Sequence, residues 1–270
     1  MLGRLLKYEI KSTARIYLPL YLLLFLMAVI NKFFISVNSG SIDSGRFGIP
    51  IAISMTAYVT IVAAIIVITL VMTIQRFYKN LLQDEGYLMF TLPISVDANI
   101  LSKLLAAVLW NISSIVISFF SVLVLALDRD AMTAIVEGWR EIQAFLATQN
   151  AMVYGILFQS ILLLLLSLAV GILNLYVAMA IGQLLTKHRA KHRVAGALGA
   201  FFLIGLVEQI IATVFISAAA NSGWFDFFEA MQPVELTNWV LTALNIGLVV
   251  LGAIYYFATK YILKNKLNLE

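Results

Sequence analysis

One carboxylate has more to explain than any other residue in the chain: Glu208, set inside the apolar run from Val194 to Ala219. An ionised carboxylate in lipid costs several kcal/mol unless it faces protein or water, so Glu208 is expected to look into a cavity or onto another helix. Helical spacing places Phe201, Ile204, Gly205, Ile211, Ala212 and Phe215 on its side, an aromatic and small-residue stripe suited to a substrate path or a subunit interface. Two roles stay open. One is contact with a cationic part of a substrate; the other is a structural hydrogen bond to Asn111, Gln159, Asn174 or Asn245 on another span. His188 and His192 have the i, i+4 spacing of metal ligands, but Lys187, Arg189, Lys191 and Arg193 surround them and would repel a cation, so the segment reads as a solvated basic loop and no metal site is assigned. Thr56, Thr60, Thr69 and Thr73 recur along one apolar run, where a threonine hydroxyl most often bonds its own helix backbone. The 270 residues contain no cysteine, which excludes disulfides, thiolate metal sites and cysteine nucleophiles. There is no HExxH, no serine–histidine arrangement and no aspartate within a candidate span, so an enzyme of the protease type is not expected.

The elements that must position these residues follow from composition. At 62% hydrophobic and 12% charged, with mean hydropathy +0.98, the chain carries more apolar surface than a soluble core of this size can hide. Six runs reach the roughly 20 apolar residues a membrane helix needs: 16–37, 49–74, 104–127, 152–185, 194–219 and 239–261. The fourth is long enough to require tilt or projection, its polar end lying near Gly182 and Gln183. Sorted by segment, fourteen Lys and Arg residues (among them Arg4, Lys7, Lys11, Arg15, Arg76, Lys79 and Lys103) fall on one side of the alternation and four, Lys32, Arg46, Arg129 and Arg140, on the other. Basic residues gather in cytoplasmic loops, so both termini are expected inside. The net charge of +4 then reflects topology and gives no reason to invoke nucleic acid. The expected class is an all-α polytopic membrane protein, one transmembrane domain over residues 1–270.

Four segments outside the spans have patterns of their own. Over residues 1–15, Arg4, Lys7, Lys11 and Arg15 share i, i+3/i+4 spacing while Leu2, Leu5, Leu6 and Ile10 take another face, the pattern of an interfacial helix on the cytoplasmic leaflet. From Asp130, a plausible N-cap, Met132, Ile135, Val136, Trp139, Ile142, Phe145 and Leu146 form an apolar stripe expected on the outer surface. Trp224, Phe225, Phe227 and Phe228 suit the outer interface. The inner loop from Gln75 to Lys103 is too long for a simple turn. Within it Asp84, Glu85 and Gly86 can bound a short helix, Tyr87 to Leu92 offer an apolar face, Pro93 halts it, and Ser95 or Asp97 can cap the next helix.

In order and spacing, Asp84 to Ser95 (DEGYLMFTLPIS) followed by Ile100 to Lys103 (ILSK) resembles the cytoplasmic loop of type-2 permeases of ATP-binding-cassette exporters. Six spans, inside termini and a basic loop from Thr186 to Arg193 are similar to that family as well. The resemblance implies a bacterial inner-membrane permease that pairs with a second copy or a related permease. Its cytoplasmic coupling helix would dock a separate nucleotide-binding subunit through Asp84, Glu85, Gly86, Tyr87, Leu92 and Pro93. ATP and Mg would be held by that partner, since the sequence has no GxxxxGK[ST] phosphate loop; no cofactor is expected in this chain. Small permeases of this kind resemble exporters of antimicrobial or toxin-like peptides, with drugs, lipids and polysaccharide precursors as other cargoes. Two other classes stay open: a proton-coupled secondary transporter using Glu208, for which internal repeats and paired broken helices are lacking, and a non-transporting immunity or scaffold protein.

Overall fold

The computed structural model describes residues 2–40, 48–82, 95–148, 150–185, 193–223 and 231–266. The docking candidates Asp84, Glu85, Gly86, Tyr87, Leu92 and Pro93, the aromatic run 224–229 and both histidines lie outside them. The described residues are all-helical, without a strand: α1 (Leu2–Gly40), α2 (Gly48–Phe77, continued by a π-helical turn, Tyr78–Leu82), α3 (Val96–Ala126), α4 (Arg129–Ala147), α5 (Ala151–Leu185), α6 (Arg193–Asn221) and α7 (Pro233–Asn265). All but α4 are long and apolar enough to cross a membrane, and each coincides with a span expected from sequence. Helices are the natural outcome, because hydrocarbon offers no partner to a backbone N–H or C=O and the chain must satisfy them internally. The protein is a multi-pass membrane protein.

The N-terminal basic segment is helical and runs without a break into the first span. Its 39 residues reach about 58 Å at 1.5 Å per residue, against a hydrocarbon thickness of about 30 Å, so α1 projects well beyond the bilayer core. Pro19 sits inside it and withholds one N–H from the backbone ladder. The helix α4 starts at Arg129 with Asp128 in the N-cap position; Asp130 is therefore a first-turn residue and not the cap. The α4 stripe is open, with Met132, Ile135, Trp139, Ile142 and Phe145 all exposed.

Two compact units contain these helices, one from Met1–Thr73 and Leu105–Thr148, the other from Ile74–Leu104 and Gln149–Glu270. The first is centred on Tyr17, Tyr21, Leu24, Ala28, Tyr58, Ile65 and Trp110. Tyr17 stacks on Trp110 at 4.4 Å between ring centroids. Polar contacts join its helices at several depths: Trp110 Nε1–H donates to Thr13 Oγ1 (2.7 Å), Ser114 Oγ lies 2.8 Å from the Tyr21 hydroxyl and 3.1 Å from Thr69 Oγ1, and Ser121 Oγ lies 2.8 Å from the Tyr58 hydroxyl. Ser54 Oγ donates to Asn31 Oδ1 (2.8 Å), and Lys32 pairs with Asp128 at 2.6 Å. All four span threonines donate to the carbonyl four residues earlier, and Thr69 Oγ1 also lies within hydrogen-bond distance of Ser114 on another helix.

In the second unit α5 packs against α6 and α7. Gly182 of α5 meets α6 so closely that a Cβ there would lie 2.4 Å from Ala197 N; only glycine permits that approach. Gln159 of α5 accepts from Thr242 (3.2 Å) and donates to Asn238 (3.0 Å) of α7.

Candidate functional site

The ends of the inner loop are held by the second unit. On the incoming side, Phe77 stacks on Tyr176 of α5 at 3.9 Å and 13°, Leu81 and Leu82 are buried in the π-helical turn, and Gln183 Nε2 donates to the Leu82 carbonyl at 3.2 Å. That carbonyl belongs to a helix end, where backbone acceptors lack an intrahelical partner, so the polar end of the long fourth span serves as a side-chain cap. On the outgoing side, Ser95 Oγ accepts from the Ala98 N–H (3.2 Å) and caps α3. Asp97, the other capping candidate, turns instead to α7. Its carboxylate pairs with Lys260 Nζ at 2.8 Å and accepts from the Tyr256 hydroxyl. Tyr256 and Lys260 are one helical turn apart, which puts a phenol and an ammonium side by side on one face of α7. The ILSK run that follows is interior: Ile100, Ser102 and Lys103 are all nearly fully buried.

These contacts also fix which helix ends share a side. The C-terminal end of α1 meets that of α3 through Lys32 and Asp128. The end of α2 meets that of α5, and the start of α3 meets the end of α7. The pairs α1–α3 and α2–α5 thus run parallel and α3–α7 antiparallel, the parity that successive crossings of a membrane require.

Glu208 is half-buried on α6 and accepts a hydrogen bond from the Tyr255 hydroxyl of α7. Tyr255 itself is 6% exposed, and a buried phenol needs a partner of this kind. The amides expected from sequence are engaged elsewhere or otherwise placed: Asn111 donates to the Ala107 carbonyl, Gln159 and Asn245 meet within the α5–α7 contact, and Asn174 Oδ1 has no hydrogen-bond partner among the described residues. Of the stripe around Glu208, Ile204 and Gly205 are partly covered while Phe201, Ile211 and Phe215 are exposed at 37%, 63% and 64%.

Tyr255, Tyr256 and the Asp97–Lys260 pair escaped the sequence reading. A signal was present: two adjacent tyrosines in an apolar run four and five residues before a lysine put polar groups on two faces of one helix end. Among the described residues no group of three His, Cys, Asp or Glu side chains is placed to hold a metal ion. The arrangement therefore offers mechanical and hydrogen-bonding chemistry: a loop pinned at one end to α5 and at the other to α7, and a carboxylate held by a phenol within a span. The fold and this site define a multi-pass helical membrane protein. Comparison with protein-family models, curated proteins and solved structures gave no significant match.

Proposed function

We propose that the chain is the permease subunit of an ATP-driven exporter of the ATP-binding-cassette type, working with a second permease and with separate nucleotide-binding subunits. It would sit in a bacterial inner membrane with both termini in the cytoplasm, and its cargo is an amphipathic substrate, a peptide of antimicrobial or toxin-like character. The observation that carries this reading is the ordered run Asp84 to Ser95 with Ile100 to Lys103, placed in the basic-side loop of a six-span chain. The anchoring supports it. A loop that receives a push from an ATPase must pass that push to the spans, and both neighbours of this loop are fixed, by Phe77 on Tyr176 and by Asp97 on Lys260. The 270 residues hold no phosphate-binding loop, so the reading assigns ATP and Mg to the partner chain.

The test is isolation of the chain from native membranes with its partners. A co-purifying subunit with ATPase activity is expected, and Glu85→Ala with Gly86→Ala should release it while leaving the permease in the membrane. Recovery of the chain without any nucleotide-binding subunit, under conditions that preserve other membrane complexes, would overturn the proposal.

A further inference from the structure

The basic residues of the first four turns of α1 are exposed, away from its buried side. Glu9, Thr13 and Tyr17 form that side, at 9%, 4% and 2% exposure. Counting about 100° per residue from Thr13, Arg4, Tyr8, Lys11 and Arg15 all fall within about 40° of the opposite direction. Tyr8, Lys11, Ser12 and Arg15 line an open cavity of about 330 Å³. Along the same arc, one turn further into the membrane, the side chains become Leu18, Leu22, Leu26, Val29 and Phe33, all exposed. That helix face thus passes within a turn from cations and a phenol, with the Ser12 hydroxyl on its flank, to an unbroken apolar stripe.

That order is the order of a phospholipid from headgroup to acyl chain. Basic residues next to a span attract anionic lipid, and a tyrosine at the boundary offers a hydrogen-bonding hydroxyl on an apolar ring. A solvated charge run accounts for the cations; the open cavity among Tyr8, Lys11, Ser12 and Arg15, continuous with the apolar stripe, adds a place for a headgroup beside them. We propose that Tyr8, Lys11, Ser12 and Arg15 form a binding site for the phosphate of an anionic phospholipid in the leaflet on the N-terminal side, one acyl chain lying along Leu18, Leu22 and Leu26. The proposal is independent of the exporter reading, since it concerns α1 and the bilayer alone.

Native mass spectrometry of the full chain in detergent tests it, with dioleoyl phosphatidylglycerol, dioleoyl phosphatidylcholine and inorganic phosphate as probes. The expected result is one phosphatidylglycerol retained in preference to phosphatidylcholine and not displaced by millimolar inorganic phosphate. Lys11→Gln with Arg15→Gln should weaken it roughly 30-fold, the factor two basic residues near an anionic headgroup supply. Lys11→Arg with Arg15→Lys should restore it, and Lys264→Gln with Lys266→Gln at the end of α7 should leave it unchanged. The altered side chains are exposed, so the fold is retained, and unchanged tryptophan emission confirms it in each variant. Equal binding of both lipids, displacement by phosphate, undiminished binding in Lys11→Gln/Arg15→Gln, or an equal loss in the α7 variant would each overturn the site.

Discussion

Tyr255→Phe removes a single oxygen atom and with it the bond that Glu208 accepts. The ring stays, so packing around a side chain only 6% exposed is preserved and the change in stability reports the bond. A hydrogen bond to a charged acceptor contributes about 1.5–3 kcal/mol, and one between neutral groups about 0.5–1.5 kcal/mol. Tyr255→Phe should cost about 2 kcal/mol in the native background, where the acceptor is a carboxylate, and about 1 kcal/mol after Glu208→Gln, a coupling of about 1 kcal/mol across the double-mutant cycle. Equilibrium unfolding in mixed micelles by added denaturing detergent, followed by tryptophan emission, measures all four proteins. A coupling of zero would refute the argument, because it would mean that the phenol and the carboxylate do not recognise each other in the membrane. The same variants address the substrate path. Unchanged uptake of a cationic peptide into vesicles by the Glu208→Gln protein would leave this carboxylate as a structural residue only.

Two further outcomes follow from packing. Gly182→Ala places a methyl group 2.4 Å from the Ala197 backbone nitrogen, and since backbone cannot rotate aside, α5 and α6 must separate at a cost of about 1–3 kcal/mol. Gly252→Ala, facing only the Val170 side chain at 3.2 Å, should lower the thermal midpoint by less, and equal losses in the two variants would show that the α5–α6 approach is not tight. Thr13→Val keeps the shape of the side chain but leaves the Trp110 indole N–H without its acceptor; a loss of about 1–3 kcal/mol is expected, with Thr13→Ser close to the native protein in the same unfolding assay.

The spans were legible in the sequence because lipid imposes a length and a composition that few other segments satisfy, and the structure returns all six. Rotation about each helix axis was not. Glu208 clearly needed a partner, but its distance along the chain to Tyr255, 47 residues, carries no information about which face of α7 looks back. Amide partners were sought because a carboxylate is most often satisfied by a strong donor, whereas the structure supplies a phenol. Asp97 could be read as a cap from its position near the start of α3; its choice of Tyr256, 159 residues on, follows from where α7 ends and not from local pattern. The continuity of α1 was hidden by the abrupt change from basic to apolar residues, which marks a change of solvent and not a break in the backbone.

Trp110, Ser114 and Ser121 of α3 lie within about 40° of one another around the helix axis, yet they bond four different side chains on α1 and α2: Thr13, Tyr21, Thr69 and Tyr58. The net coupling across single hydrogen bonds between membrane helices averages only about 0.6 kcal/mol, less than the cost of stranding one buried partner, so their strength is not the point. Their spacing acts as a combination lock. Sliding α3 by one turn, about 5.4 Å, can bring Ser118 to the place of Ser114, but it takes Trp110 away from Thr13 and Ser121 away from Tyr58. Any movement that enters this unit must then carry the Trp110–Ser121 stretch of α3 together with its partners on α1 and α2, as a bolt moves with its keyway and not along it.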